Sequence, residues 1–181
     1  MYVFAQGYTS DIDVEAVGRL ARRLDLPPAA SAASSPDLRA YVRQVLDKYS
    51  LAATKYILAK AGEFARRHEK KLLVVLFDPG RVLPQLVEGR PRYDQEIVDF
   101  LRAGGFKYFD MNVVHAEDFK CFRLTYEQYR RRYFIGHYNP SGNHFFAFAI
   151  KDTIVNWLEP KPITYRPRED SLIQFTDYLR E

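Results

Sequence analysis

The chain has one cysteine, Cys121, among its 181 residues. An internal disulfide is therefore impossible, and a zinc site built from several thiolates is excluded. No uninterrupted apolar run reaches the roughly 18 residues that a membrane-spanning helix needs. The N-terminus also lacks the basic segment followed by an apolar segment that forms a secretory signal peptide. The sequence thus predicts a soluble chain without a membrane span, and we find no targeting signal in it that would indicate a compartment.

The chain also has little excess of charge of either sign, because 27 basic and 23 acidic residues give a net charge of only +4. The basic residues occur in two short clusters, at residues 66–71 and 130–132. The first cluster follows a predicted helix, whose C-terminus favours cations, so it has a structural explanation. We therefore expect no nucleic-acid partner. The hydrophobic content of 47% is enough for one buried core, which predicts a single domain over residues 1–162 and a C-terminal tail over 163–181.

Short apolar runs alternate with longer amphipathic ones, which is the pattern of a layered α/β domain. Residues 72–77 are continuously apolar and end at Asp78-Pro79-Gly80, so they predict a central parallel strand that is covered on both faces. Two more strands are expected at residues 2–6 and 108–114. The predicted helices cover residues 14–24, 37–48, 51–68, 93–103 and 143–158.

A polar turn precedes the last predicted helix and reads His137-Tyr-Asn-Pro-Ser-Gly-Asn143. Ser141 is a suitable N-cap for that helix, which would hold His137 near a helix N-terminus. The partial positive charge there favours a neutral imidazole, the form that accepts a proton, so His137 is a candidate general base. A structural role is equally open, in which His137 and Asn139 only bond to backbone groups of a surface turn.

The His-x-Asn-Pro-x-Gly-Asn block, followed by an apolar helix, resembles the last conserved block of the SGNH/GDSL-type hydrolases. The order of elements over residues 51–162 is also similar to that family. The resemblance implies a flavodoxin-like three-layer α/β/α sandwich with a short, mainly parallel sheet. It further implies that a serine attacks an acyl or acetyl ester while His137 acts as general base, without a cofactor.

The chain departs from that family at two places. The family acid stands two or three residues before the histidine, where this chain has Phe134 and Ile135. The Gly-Asp-Ser nucleophile turn is absent from the sequence, so either the first strands lie on a preceding segment or the chain is a divergent relative without the chemistry. Ser10 is the alternative nucleophile, although Thr9, Ser10 or Asp11 would equally serve as a helix N-cap.

Further candidates complete the expected site. Asp110, at the end of a predicted strand, would replace the missing acid, or else it caps a neighbouring loop. Tyr8, Tyr138 and Asn139 would bind a small ester of a carbohydrate or lipid. No metal site is expected, because the histidines have no ligand spacing. A non-catalytic binding module is the rival function, and a short sheet with an open edge favours either a missing segment or a second copy of the chain.

Overall fold

The computed structural model describes residues 13–27 and 35–158. Within them the chain forms α1 (Val14–Arg23), α2 (Ser35–Arg67), β1 (Leu73–Leu76), α3 (Val82–Val87), α4 (Gln95–Ala103), β2 (Lys107–Asp110), α5 (Met111–Phe119), α6 (Tyr126–Tyr133) and α7 (Pro140–Leu158). The protein is thus a mostly helical, small α/β fold. The strand expected at residues 2–6 and the tail at 163–181 lie outside the described residues.

The chain divides into two compact units, with the division between Arg130 and Arg131. The first unit contains both strands and the helices from α1 to α5. The second contains α7 and the turn that precedes it. The expectation of one domain over residues 1–162 stays a prediction.

The sheet of the first unit consists, in the described residues, of β1 and β2 in parallel. Leu73 pairs with Lys107 and Leu76 pairs with Asp110, so both strands end at the same edge. The strand predicted at 72–77 is confirmed, but its expected burial on both faces is wrong, because Val75 is 38% exposed. Leu51 of α2 and Ile97 and Leu101 of α4 form the core against the inward-facing strand residues.

Helix α1 begins at Asp13, whose carboxylate accepts a hydrogen bond from Ala16 N at 2.8 Å. The cap is therefore Asp13 and not Thr9, Ser10 or Asp11. The helix packs Val17 and Ala21 against Val42 and Val45 near the start of α2. Each such burial of a large apolar side chain contributes roughly 1.5–3 kcal/mol to the free energy of folding.

Helix α2 is continuous over 33 residues, where the sequence predicted two helices separated at residues 49 and 50. The polar residue at this point does not break the helix, because Ser50 Oγ donates to the Leu46 carbonyl oxygen at 2.8 Å. Thr54 repeats the same bond to the Ser50 carbonyl, also at 2.8 Å. Hydroxyls that bond to the preceding turn are tolerated within helices.

The third predicted strand, at residues 108–114, is wrong in its second half. The strand ends at Asp110, and α5 starts at Met111. Asp110 is the N-cap of α5, since its Oδ1 accepts a hydrogen bond from Asn112 N at 3.1 Å. Two further helices, α3 and α6, were not predicted from the sequence, because each has fewer than nine residues, which is too short for a clear helical period.

Helix α7 starts at Pro140, three residues before the predicted position. Asn139 is its cap, because Asn139 Oδ1 accepts a hydrogen bond from Gly142 N at 2.9 Å. Proline is favoured at the first helical position, where no intrahelical donor is needed, so the expected cap at Ser141 is wrong. The large apolar residues of α7 differ in burial: Ile150 is buried and Phe146, Ile154 and Trp157 are half-buried, whereas Leu158 is 46% exposed.

Candidate functional site

A tight hairpin-like turn carries His137 in the second unit. Phe134 and Tyr138 form an isolated antiparallel bridge, and Ile135 N donates to the His137 carbonyl oxygen at 2.8 Å. Gly136, at the tip of the turn, has a φ of 95°, a left-handed backbone conformation that glycine adopts without steric cost. The backbone of His137 is therefore fixed on both sides by hydrogen bonds.

Asn139 ties this turn to the helices before and after it. Its backbone N donates to the Tyr133 carbonyl oxygen at 2.9 Å, and its Nδ2 donates to the Arg132 carbonyl oxygen at 2.9 Å. Its Oδ1 caps α7. Asn139 thus has the structural role in the turn that the sequence left open, and its expected role in substrate binding stays a prediction.

The ring of Tyr138 packs inside the turn. It stacks on Phe134 with ring centroids 4.9 Å apart and lies 6.0 Å from Phe146. Burial raises the pKa of Tyr138 above its ordinary range, so the phenol is neutral at physiological pH. Gly142 allows this packing, because a Cβ at that position would overlap the Tyr138 ring and the Tyr133 carbonyl oxygen.

The imidazole of His137 is exposed, and its Nδ1 lies 2.7 Å from the carbonyl oxygen of Tyr138. A carbonyl oxygen only accepts hydrogen bonds, so Nδ1 must carry the proton. In the neutral ring the lone pair then belongs to Nε2. This is the tautomer that a general base in acyl transfer needs, with the fixed N–H on one side of the ring and the proton acceptor on the other.

His137, Tyr138 and Asn139 therefore lie together in one turn, as the sequence indicated. Asp110 belongs to the other compact unit. Its Oδ1 also accepts from Asn112 Nδ2 at 3.2 Å, and its Oδ2 accepts from Arg92 Nη1. Ser10 and Tyr8 lie outside the described residues.

A second polar cluster, which sequence reasoning missed, lies at the carboxyl edge of the sheet. Asp78 follows β1 and accepts hydrogen bonds from Gly80 N at 3.0 Å, Arg81 N at 2.9 Å and the Tyr93 hydroxyl at 2.9 Å. Burial, together with this bond to Asp78, raises the pKa of Tyr93 to about 12. Asn112 joins the two strand ends, since its Oδ1 accepts from Asp78 N at 2.7 Å.

Arg92 is the most enclosed cation of this cluster, with a side chain that is 7% exposed. Its Nε and Nη2 donate to the two oxygens of Asp94 at 2.6 Å and 2.9 Å, while Nη1 donates to Asp110. Burial alone would lower the pKa of Arg92, but the bonds to Asp94 and Asp110 raise it above its ordinary range. Because both oxygens of Asp78 and of Asp110 accept hydrogen bonds, these carboxylates hold the edge of the sheet together.

The fully buried His115 belongs to another network of the first unit. Its Nδ1 lies 2.8 Å from the Tyr129 hydroxyl, which donates to Asp118 Oδ2 at 2.8 Å. Burial lowers the pKa of His115 to about 4, so the ring is neutral near pH 7. This network joins α5 to α6, and the spacing of its three residues in the sequence did not indicate it.

Among the residues that the structure describes, no group of three histidine, cysteine, aspartate or glutamate side chains is arranged to hold a metal ion. In the same residues, no helix combines the length and the apolar character required to cross a membrane.

In comparisons with known proteins, no protein-family model, no curated protein sequence and no solved structure matches the chain. The candidate site therefore has to be interpreted from its own geometry.

Proposed function

We propose that the chain is an SGNH/GDSL-like hydrolase of acyl or acetyl esters, with His137 as general base on a flavodoxin-like three-layer α/β/α scaffold. The observation that carries the proposal is the bond between His137 Nδ1 and the Tyr138 carbonyl oxygen. It selects the tautomer with a proton-accepting Nε2 and replaces the orienting role of the absent family acid. The parallel strands that end together at Leu76 and Asp110 are compatible with such a scaffold.

The reaction would follow the serine-hydrolase scheme. A serine hydroxyl attacks the acyl carbonyl and gives its proton to His137 Nε2. The imidazolium then protonates the leaving alkoxide, which departs as an alcohol and leaves an acyl-enzyme. Water gives a proton to the same Nε2 and attacks the acyl-enzyme; the imidazolium then protonates the departing serine oxygen, which releases the carboxylic acid and restores the serine and the neutral histidine. The Tyr138 carbonyl oxygen accepts the hydrogen bond of Nδ1–H throughout, and Ser10 is the nucleophile that the chain itself offers.

The test is hydrolysis of p-nitrophenyl acetate and butyrate by the purified chain and its variants. We expect His137→Ala to lower kcat by about 10²–10⁴, the usual contribution of a general base. His144→Ala is the matched control, since His144 is also exposed and lies only seven positions later. Ser10→Ala should abolish both hydrolysis and labelling by a fluorophosphonate. A wild-type rate at the uncatalysed background, or equal losses in His137→Ala and His144→Ala, would contradict the proposal.

A non-catalytic binding module is the second candidate, and one observation favours it. A backbone carbonyl carries no net charge, so it stabilises an imidazolium less than the family carboxylate would. If this is the function, a short-chain ester or its alcohol should bind without turnover. Calorimetric titration would show that binding, and His137→Ala should weaken it less than a change of the apolar lining around the turn.

A further inference from the structure

Helix α2 has apolar residues on two opposite faces. Leu51 and Leu58 lie on the face that packs against α4 and the sheet. On the opposite face, Val42 and Val45 are covered by α1, which is only ten residues long. Beyond the reach of α1, the same face of α2 carries Tyr49, Tyr56, Ile57 and Phe64, which we call the α2 stripe.

The α2 stripe is exposed. Tyr49 is 48% exposed, Tyr56 is 65%, Ile57 is 64% and Phe64 is 59%. The fifteen steps from Tyr49 to Phe64, at a rise of 1.5 Å each, make the stripe about 22 Å long. Four large exposed apolar side chains along one helix face indicate an interaction surface, because single exposed apolar residues are common on soluble proteins but rows of large ones are not.

Together with Ala53 and Lys60, the side chains of the α2 stripe form two parallel rows along the helix, each with a spacing of four residues. One row is Tyr49, Ala53 and Ile57, and the other is Tyr56, Lys60 and Phe64. A two-fold axis placed between Tyr56 and Ile57 exchanges these rows. In an antiparallel pair of helices it puts Tyr49 opposite Phe64, Ala53 opposite Lys60 and Tyr56 opposite Ile57.

We propose that the α2 stripe is the interface of a two-fold symmetric, antiparallel homodimer of this chain. An isologous interface requires a surface that is complementary to itself, and the exchange of the two rows meets this requirement. The pattern places a large side chain of the stripe opposite another large one at four positions. It also places the small Ala53 opposite the long Lys60, two residues that lie between the members of the stripe.

Lys60 is compatible with this position. Its amine is held by Glu63 at 2.9 Å and lies 5.8 Å from the centre of the Tyr56 ring. The alkyl stem of a lysine can cover an apolar neighbour while its charged end stays at the edge of the contact. Lys60 of one protomer would therefore extend over Ala53 of its partner and keep its ion pair with Glu63 at the rim.

The surface area that two α2 stripes could bury against each other is that of a weak dimer. Each of the four large side chains exposes roughly 100 Å², about half of the surface that such residues bury in a core. Two stripes, with Ala53 and the stem of Lys60, would bury about 1,000 Å² in total, near the lower limit of specific interfaces. We therefore expect a reversible dimer with a dissociation constant in the micromolar range.

Sedimentation velocity of the full chain over a concentration series is the first test. We expect the sedimentation coefficient to rise from a monomer to a dimer value with concentration. Ile57→Asp and Tyr56→Asp should each raise the dissociation constant at least tenfold, because they put a carboxylate at the two-fold axis. Val113→Asp is the matched control, since Val113 is an exposed apolar residue of α5, outside the stripe, and the change should leave the dissociation constant unaltered.

Cross-linking tests the register and the direction without relying on destabilising variants. In a Cys121→Ser background, which removes the exposed native thiol, Ala53→Cys and Lys60→Cys are prepared as separate chains. A short bis-maleimide should join the two variants when they are mixed and should join neither to itself. A chain that stays monomeric throughout the series, self-linking of Ala53→Cys, or a dimer that Ile57→Asp does not weaken would overturn the proposal.

Discussion

The Nδ1 atom of His137 lies 2.7 Å from the carbonyl oxygen of Tyr138, the next residue in the chain. A contact between neighbours in sequence is possible here because the chain reverses at Gly136 and Asn139 holds the returning strand. The backbone thus orients the ring that the sequence marked as a candidate base. The orientation of the imidazole therefore depends more on the backbone of the turn than on contacts with other side chains of the described site.

Asn139→Ala should loosen this turn. It removes the α7 cap and the bond to the Arg132 carbonyl, and loss of a cap alone costs about 1 kcal/mol. We expect the free energy of unfolding, measured by urea denaturation, to fall by about 1–2 kcal/mol. Asn139→Asp keeps the cap acceptor and should recover about half of the loss. Equal destabilisation by both changes would show that the cap contributes nothing.

Gly142→Ala and Gly18→Ala should change stability in opposite directions. At Gly142 a Cβ would overlap backbone and ring atoms of the turn, which costs about 1–3 kcal/mol. At Gly18, inside α1, a Cβ meets no atom within 4 Å, so alanine should stabilise the helix by about 0.5–1 kcal/mol. Both are measured as urea midpoints of the full chain. A stabilising Gly142→Ala would contradict the close approach of Tyr138 and α7.

The sequence was informative where apolar residues dominate an element. Residues 72–77 and the helix expected at 143–158 were identified because their apolar character continues over most of the element. The predicted strand continued to residue 114, whereas the strand ends at Asp110 and a helix follows. A capping aspartate between two apolar segments has the same composition as a broken strand, and only the hydrogen bond to Asn112 N distinguishes them.

The polar cluster at the edge of the sheet could not be predicted for a different reason. Arg92 and Asp110 are eighteen residues apart, with α4 and most of β2 between them, so their contact is a product of the tertiary fold. The bond that orients His137 is equally invisible in the sequence, because its acceptor is a backbone atom and every residue has one. Candidate residues were therefore accessible from composition and spacing, whereas their partners depended on the fold.

Arg92→Met should be among the most damaging single substitutions of the first unit. It leaves Asp94 and Asp110, which are 12% and 11% exposed, without their buried cation, and breaking such a pair costs about 3–5 kcal/mol. Arg19→Met is the control, because the Arg19–Glu15 pair is exposed and should contribute less than about 0.5 kcal/mol. Chemical denaturation measures both. Similar small losses of stability in the two variants would mean that Arg92 is not needed to neutralise Asp94 and Asp110.

The buried His115 should make stability fall in weak acid. In the folded chain its pKa is lowered from 6.5 to about 4, whereas the unfolded chain binds the proton at the ordinary value. The unfolded state therefore binds more protons between these two pH values, and the contribution of His115 to stability is complete above pH 6.5 and is lost as the pH falls towards 4. From pH 7.5 to 4.5 the loss should be about 2–3 kcal/mol.

Other groups titrate over the same range, so the measurement is a comparison of the wild type with His115→Gln. Glutamine keeps hydrogen-bonding groups near the Tyr129 hydroxyl but does not titrate. We expect the wild type to be more stable than the variant at pH 7.5 and the difference to shrink by about 2–3 kcal/mol at pH 4.5, measured by urea denaturation at each pH. Parallel stability curves would mean that His115 titrates alike in the folded and unfolded chains. In that case, the hydrogen bonds of the Tyr129 hydroxyl with His115 and with Asp118 would have to offset the effect of burial on the pKa of His115.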